Sequence, residues 1–306
     1  MTSTHRGSAG RLTTPGGLAR VRPALYVAPG VILLMVWIYA PLLLSVVLSF
    51  ADWQLTGSSE FVGLENYARL FTDDTFWVAS GQTVLYALLL LPFATIVPLL
   101  LAVMLWQRAS RFTHLYRAVI FLPMMVAPVA LGVSWQFILT PLNGLVNEVL
   151  ASFGIAGSNW LGDPATSLAS IVVITSAKVI AMNFLLYSAA LAGLRRNLLD
   201  AARLDNATAL DTTIHVIVPQ LKGTVVLLGC LSLITAGQWA FNNISILTQG
   251  GPSASSDNIY YTIYRMGFTF FEMGEASAAS VVLLLAVVAV AVLVQAGRRI
   301  HARRSV

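Results

Sequence analysis

Six apolar runs, each close to the length a helix needs to cross a bilayer, constrain this chain more than any other feature. A hydrocarbon core about 30 Å thick takes around 20 helical residues, and no water is present there to satisfy an unpaired backbone group. The runs cover residues 24–50, 84–107, 118–139, 168–194, 224–241 and 277–297. The fifth is short unless it continues past Asn242 and Asn243 toward Leu247, and the fourth carries Lys178. Only 10% of the 306 residues are charged and 57% are hydrophobic, whereas a soluble domain carries roughly a quarter charged residues. A water-soluble globule is excluded, and the expected fold is all-α: a polytopic membrane protein with six transmembrane helices.

The charges report sidedness. Lys and Arg near the ends of spans stay on the cytoplasmic side, and 15 of the 18 basic residues fall in alternate segments: Arg6, Arg11, Arg20 and Arg22; Arg108, Arg111 and Arg117; Arg195, Arg196, Arg203 and Lys222; Arg298, Arg299, Arg303 and Arg304. The other set of loops holds only Arg69 and Arg265 but ten of the 13 acids. Both termini are therefore expected in the cytoplasm. Because both signs sit between long uncharged runs, the net charge of +5 points to the lipid bilayer as partner and not to nucleic acid.

Residues 1–22 read as a cytoplasmic tail rich in Ser, Thr, Gly and Arg, 23–297 as one six-span domain, and 298–306 as a second basic tail. At 27 residues the first run is too long for the apolar core of a cleaved signal. The outer segments 51–83, 140–167 and 248–276 are long enough to form a cap or a docking surface.

Catalytic chemistry has no foothold. No Gly-rich loop ends in Gly-Lys-Ser/Thr to hold phosphates, and no HExxH or GxSxG is present. His5, His114, His215 and His301 are dispersed without metal-ligand spacing. Cys230 stands alone, so no internal disulfide exists. The intramembrane acids of a proton relay are also absent. An integral-membrane enzyme such as a lipid-modifying transferase is thereby disfavoured, as is a secondary transporter. No catalytic residue, metal site or resident cofactor is expected, and energy for uphill movement would come from another subunit.

Between the fourth and fifth runs lies a polar stretch, residues 195–223, too long for a tight turn. Leu198, Leu199, Ala202, Leu204 and Ala207 give a partly amphipathic helix, and Asp205-Asn206 ends it because Asn tolerates the left-handed conformation. A second helical stretch is expected to stop near Val218-Pro219. A short helix with an apolar face between two spans is a handle for a cytosolic partner.

Asp200-Ala201-Ala202-Arg203-Leu204-Asp205-Asn206-Ala207, followed by Ile217-Val218-Pro219, resembles the Glu-Ala-Ala loop of permease subunits in binding-protein-dependent ABC importers. Here Asp200 stands for Glu, Asn206 for Gly, and Leu194-Arg195 for Ile-Pro. Pro23 to Gly30 with Phe61 to Tyr67 resembles the opening of the carbohydrate-uptake permeases; Leu247 to Pro252, with Tyr260, Tyr264, Gly267-Phe268 and Gly274 to Ala279, resembles their closing signature. Leu122 to Pro128, Lys178, Asn183-Phe184-Leu185 and Ala189-Ala190-Leu191 carry a likeness to the A-type permease of glycerol-3-phosphate importers.

The resemblance implies the type I importer permease fold in a prokaryotic plasma membrane. It also implies an assembly with a second permease, two ATPase subunits that bind ATP and Mg, and an extracytoplasmic solute-binding protein. The loop residues Asp200, Ala201, Ala202, Asp205, Asn206 and Ala207 would couple to the ATPase. The solute would be glycerol 3-phosphate, a glycerophosphodiester or a related sugar-like molecule, with a neutral oligosaccharide as the alternative, moved by alternating access.

Residues for the solute path follow from spacing. Thr175, Lys178, Met182 and, more loosely, Asn183 share a broad helix face at intervals of three and four. Trp239, Asn242 and Asn243 add an apolar surface and amides, a combination suited to a polyol.

Overall fold

The computed structural model describes residues 17–53, 60–107 and 111–304. Five helical runs are long and apolar enough to cross a membrane, six when a bent pair of helices is counted as one span. The first crossing joins α1 (Gly17–Leu34) through a π-helical turn at Met35–Tyr39 to α2 (Ala40–Leu48). Its helix starts at Gly17, inside the segment read from sequence as a tail; residues 1–16 lie outside the described residues. Pro41 lies inside this continuous helix, directly after the π-helical turn in which the Ala40 N–H reaches back to the Met35 carbonyl, so the ladder changes register where the proline supplies no N–H.

A short antiparallel hairpin follows, β1 (Ala51–Asp52) with β2 (Glu60–Phe61), and then the amphipathic α3 (Glu65–Thr72), which buries Asn66 and Leu70. Asn66 Nδ2 donates to the carbonyls of Ser49 and Ala51, each at 3.0 Å, tying α3 to the end of the first crossing.

The second crossing, α4 (Asp74–Gln107), begins ten residues earlier than the apolar run suggested. Asp74 opens it, where a carboxylate favours the positive end of the helix dipole. Hydropathy cannot see such an extension, because the added turns lie in the outer layer and carry polar residues.

The third run is not one helix. It divides into α5 (Thr113–Met125) and α6 (Pro128–Ile138), bent by 97°. Pro128 lacks the N–H that would continue α5, and it forces its predecessor out of the helical region: Val126 and Ala127 take ψ of 133° and 136°.

Beyond α7 (Leu145–Ser152) comes the fourth crossing, α8 (Ser167–Ala192), half of whose residues are buried. Two short helices, α9 (Arg196–Leu204) and α10 (Ala209–Thr212), precede the fifth crossing, α11 (Val218–Asn243). The expected stop at Val218-Pro219 does not occur. A π-helical turn at Thr213–Ile217 runs straight into α11, the Val218 N–H reaching back to the Thr213 carbonyl, so the ladder changes register just before Pro219, which supplies no N–H. At its far end α11 continues past Asn242 and Asn243 through a π-helical turn to Thr248, which is how a short apolar run becomes a full crossing. After α12 (Ile259–Tyr264) and a π-helical turn at Arg265–Thr269, the sixth crossing α13 (Met273–Arg304) closes the chain, helical into the segment read as the second tail.

α4, α8 and α11 pack together as the central bundle, with α5 along α8, α6 against the end of α11, and α13 against α2, α3 and α12. Two apolar cores fill the bundle. One lies around Tyr86, Ile171, Ile174 and Ile244; the other, toward α9, lies around Phe184, Tyr187, Leu191 and Ile217.

Candidate translocation site and coupling loop

Two amides inside the bundle are held by partners on neighbouring helices, as a low-dielectric interior favours. Asn183, on α8, donates from Nδ2 to the Ala94 carbonyl of α4 at 2.7 Å and to Ser232 Oγ of α11 at 3.2 Å. Asn243, at the end of α11, donates to Thr175 Oγ1 across a buried 2.9 Å bond. These two amides cross-link α8 to its neighbours at different heights.

A cavity of about 140 Å³ opens among α4, α8 and α11. Met182 and Asn183 face Trp239 across it, with Ser232 and Thr235 adding hydroxyls, and no charged side chain lines it. Of the seven residues expected on the path, three thus share one cavity. Thr175 and Asn243 are buried in their mutual bond, and Asn242 is exposed on another face of α11. Lys178 is half-buried and makes no hydrogen bond or ion pair among the described residues. A lysine in a crossing helix costs at least a few kcal/mol when it faces lipid, so this face of α8 meets water or protein.

Sequence reasoning missed the break in the third crossing. The carbonyls of Met124, Met125 and Val126 accept no hydrogen bond among the described residues, and six of the nine residues from Leu122 to Ala130 are exposed in the isolated chain. Non-helical backbone is tolerated at membrane depth only where protein or water covers it, since each unpaired group costs several kcal/mol in hydrocarbon. The pair Pro123 and Pro128 was the available signal.

Sequence reasoning also missed how firmly the last outer segment is clamped to the bundle. Tyr86 donates to the Ser256 carbonyl at 2.9 Å, Asn258 Nδ2 to the Gly237 carbonyl at 2.8 Å, and the Ile259 N–H to Thr83 Oγ1 at 2.9 Å. Asp257, fully buried, pairs with Arg265 at 3.4 Å. Burial raises its carboxyl above the usual range, and Arg265 opposes that shift.

At the opposite end, α9 presents two faces. Leu199 and Ala202 pack against the body of the chain, whereas Leu198, Ala201 and Leu204 are exposed, as are Asp200, Asp205 and Ala207. Asn206 takes φ 53°, and the Ala207 N–H reaches back to the Ala202 carbonyl at 3.0 Å, the six-to-one bond of a left-handed helix cap. The structure therefore puts an asparagine to the use expected of it. Gln107 Nε2, at the end of α4, donates to Thr213 Oγ1 at 2.9 Å, and the Arg195 N–H donates to Gln220 Oε1 at 3.2 Å. The loop is thus fastened to the second and fifth crossings.

Residues 80–305 match the family described as binding-protein-dependent transport system inner membrane component. The chain belongs to this family. It is a membrane-embedded transport component and not an enzyme. It is 30% identical to the probable ABC transporter permease protein YurN of Bacillus subtilis over 278 residues, covering 90% of this chain and 94% of that one. It is 31% identical to the sn-glycerol-3-phosphate transport system permease protein UgpA of Pectobacterium atrosepticum, covering 77% and 79%. The arabinooligosaccharides transport system permease protein AraP of B. subtilis is 28% identical, covering 90% and 87%. Among solved structures, a bacterial alginate ABC transporter in complex with its alginate-pentasaccharide-bound periplasmic protein superposes with a TM-score of 0.83 at 21% identity, covering 92% of this chain and 96% of that chain. That likeness shows the fold: the expected type I permease architecture.

Proposed function

We propose that this chain forms half of the translocation path of an ATP-driven importer for a hydroxylated, sugar-like solute, working with a second permease, two ATPase subunits and an extracytoplasmic binding protein. The observation that carries the solute class is the cavity among α4, α8 and α11. It offers one indole face, one amide and two hydroxyls without a charge, the chemistry that suits the C–H faces and hydroxyls of a polyol. That lining favours a neutral oligosaccharide. Lys178, a cation without a partner in the same crossing, favours a second reading in which the polyol carries a phosphate, as in glycerol 3-phosphate or a glycerophosphodiester. Both termini lie in the cytoplasm on this reading, α9 seats on the ATPase through Leu198, Ala201 and Leu204, and alternating access exposes the cavity to each side in turn.

Uptake by the reconstituted complex decides between the solutes. With arabinotriose and glycerol 3-phosphate offered in parallel, Lys178→Met leaves arabinotriose uptake within about twofold on the neutral reading. On the phosphate reading it lowers glycerol 3-phosphate uptake roughly tenfold or more, the scale of a lost charge-assisted contact. Transport of neither solute removes the assignment. For orientation, a cysteine at Ala156 in a Cys230→Ser background reacts with an impermeant thiol reagent in intact cells, and one at Asn197 is protected; the reverse pattern inverts the topology.

A further inference from the structure

A further cavity, of about 440 Å³ and with a mixed polar and apolar lining, lies at the end of the bundle opposite α9. Its walls are the last turn of α6 with Gln136, Thr140 just beyond it, the turn before α8 with Asn159 and Gly162, and the segment after α11 with Thr248 and Pro252. No charged side chain lines it.

The walls are held from behind. Asn147 is buried and donates to the carbonyls of Pro141 and Ser158, each at 3.0 Å, while its Oδ1 accepts from Trp160 Nε1 at 2.7 Å and from the Ser158 N–H at 3.2 Å. Ser256 Oγ donates to the Gly251 carbonyl at 2.6 Å and accepts from the Thr248 hydroxyl at 2.8 Å. Asn159 Oδ1 accepts from the Gly162 N–H at 3.0 Å; a Cβ on Gly162 would collide with the Asn159 amide, so a glycine is what lets that amide sit at the rim. Asn159 Nδ2 and the whole Gln136 amide have no partner among the described residues. Neutral hydrogen-bonding groups left free on a rigid frame need little reordering to bind.

We propose that this vestibule is a solute subsite, which takes the uncharged, hydroxyl-bearing part of the solute on release from the binding protein, ahead of the inner cavity. The inference rests on the importer reading and adds to it a second, outer station. Gln136 and Asn159 donate to and accept from solute hydroxyls. With no charge in the walls the hold is weak, as a station that must also release its occupant requires.

The test uses the reconstituted complex with arabinotriose and glycerol 3-phosphate as solutes. Gln136→Leu removes an amide at constant bulk; Asn159→Asp keeps the oxygen that receives the Gly162 N–H and removes the free donor. The result expected is a roughly 3- to 10-fold fall in solute moved per ATP hydrolysed for each variant, with stimulation of the ATPase by loaded binding protein unchanged, because docking and closure proceed while unheld solute escapes. An unchanged ratio in both variants overturns the subsite. Loss of stimulation overturns it too and makes the rim a docking surface for the binding protein. If the unsubstituted complex moves neither solute, the importer reading fails, and the subsite falls with it; that outcome shows before any variant is compared.

Discussion

The first and fourth crossings are both long, apolar helices, and they stand in opposite environments. None of the residues from Tyr26 to Leu48 is buried, whereas half of α8 is. The exposed crossing is nearly pure hydrocarbon, and α8 carries Thr175, Ser176, Lys178 and Asn183. In a bilayer the solvent is as apolar as a core, so hydrophobicity by itself does not drive helices together. A strongly apolar helix can therefore be the least buried, and polarity inside a crossing marks the interior. Asn183 and Asn243 sit where they do because partners on α4 and α8 await them, and the same side chains on the first crossing would face lipid with no partner.

Substitutions can break or sharpen this contrast. The largest effect is expected from Ile174→Ala in α8, where the side chain is 1% exposed; it should lower unfolding stability in detergent by about 2–5 kcal/mol through the cavity it leaves. Ile32→Ala on the first crossing, 59% exposed, should stay within about 0.5 kcal/mol. Equal losses at the two sites would dissolve the contrast.

A middle-sized effect is expected at the buried amide. Asn243→Leu strands the Thr175 hydroxyl and should lose about 1–3 kcal/mol. The double variant Thr175→Val with Asn243→Leu should recover part of that loss, since two apolar groups no longer leave a polar one unpaired. A strictly additive pair would mean that the 2.9 Å bond contributes nothing.

Smallest in the fold, and sharpest for function, is the division of α9 into two faces. Ala202 is 8% exposed and packs on its own chain, so Ala202→Trp should lift α9 off the bundle and speed its proteolysis, at a local loss of about 1–3 kcal/mol. Ala201→Trp, on the exposed face, should leave thermal unfolding of the isolated chain unchanged and abolish co-purification with the ATPase. If Ala201→Trp assembles normally and hydrolyses ATP in step with transport, the exposed face is not the coupling surface.

Much of the architecture was legible because a bilayer permits so few solutions. Six crossings, and a helix ending at Asn206, follow from apolar length and from the residues that tolerate a left-handed turn. What hydropathy could not show was the run of α4 out to Asp74, the continuity of helix through Pro219, and the 97° bend before Pro128. Each depends on where backbone hydrogen bonds go. The candidate site was legible in composition and not in arrangement. The helical repeat put Thr175, Lys178, Met182 and Asn183 on one broad face, but packing against α4 and α11 sorted them into a buried bond, an unpartnered cation and a cavity wall.

The sequence by itself determined that this chain lives in a membrane and where its long apolar helices lie, because those properties depend on local apolar length. Tertiary structure alone decided which polar groups are partnered and which remain free. Asn147 is spent holding the wall behind the outer vestibule, while Asn159 and Gln136 are left open at its rim. The reason is geometric: an amide's role depends on whether another backbone comes within about 3 Å of it, and that distance is set between segments far apart in the chain.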